Sequence, residues 1–154
     1  HMQMPLLVAS GFLMAKYGQI RFPRFWERWN DNGVPGILLF AIIAVYWMLP
    51  RAMDEALAFP GMEAFKFVSL SLLCGMPLRD SWPKIGYAAK SAVIIGFTLL
   101  FAGMGLLYVI APVQLCNNYV LLEQIALGWG FLTTAFCMVI FIIYHLFTRH
   151  SAYE

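Results

Sequence analysis

Four long runs of apolar residues alternate with short polar segments along the chain, and a shorter apolar run precedes them. A helix that crosses the hydrocarbon core of a bilayer needs about 20 mostly apolar residues. The runs that meet or approach this length cover residues 34–50, 62–78, 87–112 and 120–147, and the short run at residues 2–15 resembles the end of a helix whose start is missing or very short. The pattern predicts an all-α, polytopic transmembrane helical bundle of about five spans, forming a single domain over residues 1–154.

The composition also favours a membrane protein over a soluble one. The chain is 62% hydrophobic and 12% charged, whereas soluble domains are about 45–50% apolar and about 25% charged. The sequence contains no phosphate-binding loop, zinc-protease motif or Ser/His/Asp set, so we expect no catalytic residue and no enzyme. The three cysteines have no CxxC spacing, which argues against a zinc site or a disulfide framework.

Small residues within the predicted spans suggest packing roles. We expect Cys74 and Cys137 to be small core residues, and Cys116 to lie in a loop. Glycines in transmembrane helices allow neighbouring backbones to approach closely. Close helix contact is therefore predicted at the glycines of the last two spans: Gly96, Gly103, Gly105, Gly128 and Gly130.

Charge divides the polar segments into two classes. Residues 16–30, residues 79–90 and the C-terminal end at Arg149 are rich in Lys and Arg. Residues 51–60 instead hold one Arg against two acidic residues, and residues 113–119 hold no charge. Because short loops rich in Lys and Arg stay in the cytoplasm, the alternation predicts an outside N-terminus and a cytoplasmic C-terminus.

Residues 21–29 combine arginines with aromatic side chains. Such a segment suggests either nucleic-acid binding or an anchor at the membrane surface, where Trp lies at the headgroup level and Arg meets anionic lipid. We favour the anchor and expect the lipid bilayer, and no nucleic acid, as a partner. Pro23 opposes a continuous straight helix, so the segment predicts an interfacial elbow or a short surface helix.

Several soft metal ligands fall near the outer ends of the predicted spans. If the spans alternate in direction, one face collects His1, Met2, Met4, Met48, Met53, Met62 and Cys116. Thioether, thiolate and imidazole groups suit Cu(I), so this grouping is compatible with a Cu(I) site. Methionine is also a common filler of apolar cores, and residue types alone leave both interpretations open.

Two opposite charges lie near the start of the predicted third span. Glu63 and Lys66 are three residues apart, a spacing at which side chains on one helix face can pair. One interpretation is a polar lining at the outer end of the bundle. The other, which we favour, is a helix start whose two charges neutralise each other.

Short motifs occur in a characteristic order along the chain: H-M-Q-M-P at residues 1–5, W-M-L-P at 47–50, D-E-A-L at 54–57, M-E-A-F-K at 62–66, E-Q at 123–124 and G-W at 128–129. This order resembles that of the CtaG-type cytochrome c oxidase assembly proteins, which are helical proteins linked to copper delivery. The resemblance implies a multi-pass protein of the bacterial inner membrane, without enzymatic activity, for copper handling or for assembly of a copper-containing respiratory-type enzyme. It also implies that these residues form the C-terminal five spans of a longer chain.

The chain departs from the family at four of the five histidines that the motifs would place here. Only His1 remains, and Pro5, Met48, Met62 and Lys66 occupy the other positions. One interpretation is a softer Cu(I) site with the ligands His1, Met2, Met4, Met48 and Met62. The other is a structural accessory subunit of a large membrane enzyme complex, with no metal of its own. Both imply other membrane subunits as partners, from a copper-containing oxidase or a related complex.

Overall fold

The fold is helical throughout the parts of the chain that the structure, a computed structural model, describes, namely residues 3–111 and 121–150. No strand occurs in these ranges, which confirms the all-α prediction for them. The elements are α1 (Gln3–Arg21), α2 (Pro23–Trp29), α3 (Val34–Met48), α4 (Pro50–Ala58), α5 (Pro60–Val68), a π-helix (Ser69–Gly75), α6 (Met76–Ser81), α7 (Tyr87–Ile110) and α8 (Leu121–His150). The chain divides into two compact units, His1–Tyr87 and Ala88–Glu154, and the single domain stays a prediction.

Within the described residues, three helices are long and apolar enough to cross a membrane: Pro60–Ser81, Tyr87–Ile110 and Gln124–Thr148. A fourth span is counted if α2 and α3, which meet at 87°, form one broken span. The polar residues from Lys16 to Arg21 lie within α1 and lower its mean hydropathy, so α1 is not among these candidates. The membrane character is therefore supported, while a count of five spans stays a prediction.

The first unit is built from α1, α3 and one continuous helix that comprises α5, the π-helix and α6. Gln3 at the start of α1 contacts Lys66 in α5, and Gln19 near the end of α1 contacts Asp80 in α6. These two pairs show that α1 and the continuous helix run parallel. Their starts therefore lie at one end of the unit and their last turns at the other.

Helix α3 runs antiparallel to these two helices. Trp47 near its end bonds to Ser69, and the backbone of Gly36 near its start bonds to the side chain of Asn30, which in turn bonds to Ser81. We call the two ends of the first unit the Trp47 end and the Asp80 end. This arrangement brings the start of α1, the end of α3 and the start of α5 together at the Trp47 end.

Backbones approach closely where α1 crosses the π-helix. A Cβ atom on Gly11 would overlap the backbone of Ser71, and one on Gly75 would overlap the backbone of Val8 and Phe12. Neither position therefore has room for a side chain without moving one helix away from the other. Helix α1 thus packs directly against the π-helix. Helical segments of this type are rare and often occur at functional positions.

The break predicted at Pro23 is present. Helix α1 ends at Arg21, Phe22 has a non-helical backbone conformation (φ −133°, ψ 58°), and Pro23 is the first residue of α2. Proline suits the first position of a helix because its missing N–H would have no partner there. The segment is thus a short helix after an elbow, and its location at a membrane surface stays a prediction.

The second unit consists of α7 and α8, which pack through Gly105 and Gly128. A Cβ atom on either glycine would lie 3.0 to 3.1 Å from the carbonyl oxygen of the other. The Phe131 ring contacts the rings of Phe101 and Tyr108 in the same interface. The predicted glycine contact is therefore confirmed at these two positions. Within the described residues, nothing lies within 4 Å of a Cβ placed on Gly96, Gly103 or Gly130.

The cysteines behave differently from one another. Cys74 is fully buried in the first unit, as predicted. Cys137 is exposed on α8, so the prediction of a core position is wrong for it. Helix α8 is apolar on nearly all sides, and hydropathy alone therefore does not indicate which side faces α7. Cys116 lies outside the described residues.

Candidate functional site

The Trp47 end of the first unit contains a buried indole with a defined hydrogen-bond partner. Trp47 is 1% exposed, and its Nε1–H donates to Ser69 Oγ at 2.8 Å. The Ser69 hydroxyl donates in turn to the backbone carbonyl of Lys66 at 3.3 Å. The rings of Tyr46 and Phe65 flank the indole, with ring centroids 5.2 and 6.0 Å away. The indole is thereby fixed against the start of the π-helix.

An apolar cluster surrounds this indole and draws residues from five elements. Its buried members, which we call the Trp47 cluster, are Trp47, Ala52, Ala56, Leu70 and Cys74. Met4 from α1 and Met62 from α5 are partly buried and pack against it. The cluster therefore joins segments that are up to 70 residues apart in the sequence, including four of the segments that carry the short motifs.

The predicted metal ligands are divided by the structure. Met4 and Met62 contact the same cluster, so these two candidates are brought to one place. Met48 is partly buried at the last position of α3 but is not among the residues packed against the Trp47 cluster. His1 and Met2, the other two predicted ligands, lie outside the described residues.

Lys66 is a buried charged residue of α5, four positions before the cluster member Leu70. It is only 6% exposed, and its Nζ donates to Gln3 Oε1 at 3.3 Å and lies 5.5 Å from the centroid of the Phe67 ring. Glu63 is exposed, and within the described residues it forms no ion pair with Lys66. The favoured pairing of Glu63 with Lys66 is therefore wrong, because Lys66 turns inward to α1.

The donors present at the Trp47 end fit a metal ion only in part. The thioethers of Met4 and Met62 are soft ligands suited to Cu(I), whereas the Lys66 ammonium carries the same sign of charge as a metal ion. Within the described residues, no group of three or more His, Cys, Asp or Glu side chains could hold a metal. Any complete ligand set at this end would therefore depend on methionines and on residues before Gln3.

The Asp80 end holds a network of buried polar side chains. Asp80 is 4% exposed and accepts three hydrogen bonds, from Gln19 Nε2 (2.8 Å), Asn30 Nδ2 (2.7 Å) and Lys84 Nζ (2.8 Å). Asn30 Nδ2 also lies 2.8 Å from Ser81 Oγ, and Lys84 donates to the Asn30 carbonyl. Three protein side chains thus donate hydrogen bonds to the carboxylate. The network connects α1, the α2–α3 turn and α6.

The turn between α2 and α3 permits this network. Gly33 has a φ of +72°, which glycine adopts without strain. A Cβ atom on Gly36 would overlap the Ser81 hydroxyl and the Asn30 amide. The two glycines therefore let the start of α3 reach the polar side chains of α6, and the Asp80 end functions as a structural junction.

Sequence reasoning missed both polar features of the first unit. The buried position of Lys66 and the partners of Asp80 depend on residues about 50 to 60 positions away. Two sequence signals were available: Asn30 lies three residues before Gly33 at the start of α3, and Asp80 stands in an otherwise basic segment. Comparison with protein-family models, curated proteins and solved structures finds no match to this chain.

Proposed function

We propose that this chain is a non-enzymatic integral membrane protein that handles copper for, or assists the assembly of, a copper-containing respiratory-type enzyme. One observation supports this function above others. Segments that resemble the motifs of the CtaG-type family, and that contribute Met4, Trp47, Ala56 and Met62, meet at one end of the first unit. Motif segments that are distant in sequence but adjacent in the fold are expected of a shared site.

The proposed membrane arrangement has five spans, with the N-terminus outside and the C-terminus in the cytoplasm of a bacterial inner membrane. Lys84 and Arg79 near the Asp80 end favour the cytoplasmic side for that end. The Trp47 end then faces outward. A membrane-impermeant maleimide tests this in intact cells that express a variant without native cysteines: Glu55→Cys should react, and Asp31→Cys should react only after lysis.

In the copper-handling role, Met4 and Met62 would hold Cu(I), and the resemblance adds His1, Met2 and Met48 to the ligand set. A bound Cu(I) ion would supply the cargo for a copper enzyme, without any chemical conversion by this chain. The task of the protein is to keep soft sulfur ligands together at the end of an apolar bundle, where hard cations find few oxygen ligands.

A Cu(I) competition titration on the purified protein tests this role. We expect the Met4→Leu/Met62→Leu variant to lose at least about tenfold in Cu(I) affinity, since even indirect supports of a metal ligand contribute about 10–100-fold. The matched control is Met104→Leu/Met138→Leu, which changes two partly buried methionines of the second unit. Equal copper binding by both variants and the unchanged protein would contradict the role of Met4 and Met62.

The second candidate is a structural accessory subunit without its own metal. It is supported by the buried ammonium of Lys66, which bonds to Gln3. Lys66 occupies a position at which the resemblance would place a histidine. In this case Met4 and Met62 only fill space in the Trp47 cluster. Purification under mild detergent should then yield a larger complex of constant composition whose copper content does not change in the Met4→Leu/Met62→Leu variant.

A further inference from the structure

Helix α2 is a short, exposed element that the proposed function does not use. It meets α3 at 87°, so when α3 is perpendicular to a bilayer, α2 lies along the bilayer surface. Trp26 is its partly buried residue, and its Nε1 lies 3.8 Å from the position of a Cβ on Gly18 in α1. Trp26 therefore fixes α2 against α1, and the remaining side chains of α2 are exposed.

Two exposed aromatic residues form one row along α2. Phe25 and Trp29 are four residues apart, and their rings stack nearly parallel, with an interplanar angle of 8° and 6.3 Å between centroids. Phe25 is 60% exposed and Trp29 is 37% exposed. In a soluble protein, such a pair would expose apolar ring surface to water at a cost in free energy. At the boundary between headgroups and acyl chains, the rings can instead contact lipid.

Two arginines form a second row beside the aromatic one. Arg24 and Arg28 each precede an aromatic residue of the first row, which places them about 100° away around the helix. Both are exposed, and neither forms an ion pair within the described residues. Glu27 lies about 60° from Arg24 around the helix and thus beside the arginine row, but it forms no ion pair with either arginine within the described residues. One flank of α2 therefore presents two guanidinium groups next to two aromatic rings.

We propose that this flank binds the phosphate headgroups of anionic phospholipids. Arg24 and Arg28 donate hydrogen bonds to phosphate oxygens, for which the guanidinium group has matching geometry. Phe25 and Trp29 insert beside the same lipids at the level of the glycerol backbone. The positive charge, the apolar row and the orientation of α2 together select an anionic membrane surface as the partner.

Lipid binding to the purified protein, measured by native mass spectrometry in detergent, tests this proposal. The unchanged protein should retain phosphatidylglycerol in preference to phosphatidylcholine. Each arginine near an anionic surface contributes about fivefold in affinity, so Arg24→Gln/Arg28→Gln should weaken phosphatidylglycerol binding by about 30-fold. The matched control is Arg51→Gln, whose side chain is 91% exposed at the Trp47 end and should leave binding unchanged.

A second measurement follows the aromatic row. Phospholipids brominated near the glycerol should quench the tryptophan fluorescence of the protein in lipid nanodiscs, and Trp29→Phe should remove part of that quenching. Three results would overturn the proposal: equal retention of the two lipids by the unchanged protein, an equal effect of the double variant and the Arg51→Gln control, or displacement of phosphatidylglycerol by millimolar inorganic phosphate. The last result would indicate a site for a soluble anion.

Discussion

Replacing Asp80 by alanine should strongly destabilise the first unit. Asp80 accepts hydrogen bonds from Gln19, Asn30 and Lys84, and it connects three elements that are distant in sequence. The Asp80→Ala substitution removes all three bonds and leaves the three donors to find other partners. The cost therefore depends on how easily each donor can do so.

The magnitude follows from the surroundings of the three donors. Hydrogen bonds to a charged group contribute about 1.5–3 kcal/mol each, so an additive sum would be about 4.5–9 kcal/mol. Asn30 still donates to Ser81, and Lys84, whose side chain is 30% exposed, still donates to the Asn30 carbonyl and reaches water. Because two of the three donors retain a partner and only Gln19 loses its one hydrogen bond, we expect a loss of about 3–4 kcal/mol, near the cost of breaking one buried ion pair.

Equilibrium unfolding in mixed micelles, followed by circular dichroism as the fraction of denaturing detergent increases, measures this loss. The control is Glu55→Ala, which removes an exposed pair with Arg51 and should cost about 0.5 kcal/mol or less. The Lys84→Met background provides a second test, because Asp80→Ala should cost less there if the two side chains are coupled. A loss below about 1 kcal/mol for Asp80→Ala, or a loss equal to the control, would refute the argument.

Two other changes test the packing, one in each unit. Ser69→Ala should destabilise the protein by about 1–3 kcal/mol, because it leaves the buried Trp47 Nε1–H without its acceptor. In a Trp47→Phe background the same change should cost clearly less. Equal costs in both backgrounds would contradict the Trp47–Ser69 hydrogen bond. Gly128→Val should cost about 1–3 kcal/mol, because its Cβ would lie 2.8 Å from Val109 Cγ2. Gly130→Val, where nothing described lies within 4 Å, is its control, and similar losses for the two variants would refute the α7–α8 contact.

Features that depend on neighbouring residues were predictable from the sequence. The all-helical fold follows from the lengths of the apolar runs, and the elbow before α2 follows from Pro23, whose ring conflicts with a continuing helix. The contact at Gly105 and Gly128 follows from the space that glycine leaves between helices. Each of these needs only local composition or the size of a side chain.

Features that depend on the rotation and pairing of helices were not predictable in the same way. Lys66 is three residues from Glu63 in sequence, but it contacts Gln3, which is 63 positions away, because α5 turns that side toward α1. The prediction of a core position for Cys137 is wrong, because α8 has apolar residues on nearly every side and hydropathy does not single out the side that packs. An apolar helix has no hydropathy difference between its packed and exposed sides, so its rotation is decided by contacts alone.

The buried ammonium of Lys66 separates the two proposed functions. A unit positive charge at about 5–8 Å from a Cu(I) ion repels it by about 2–3 kcal/mol at an effective dielectric constant of about 20. If Met4 and Met62 hold Cu(I) at such a distance from Lys66, Lys66→Leu, which removes the charge without adding a thioether, should strengthen Cu(I) binding by about 30–150-fold in the competition titration. The matched control is Lys90→Leu in α7, which should not change the affinity. If neither variant nor the unchanged protein binds Cu(I), the copper-handling role is wrong, and Lys66 with the two methionines serves only to pack the Trp47 end of an accessory subunit.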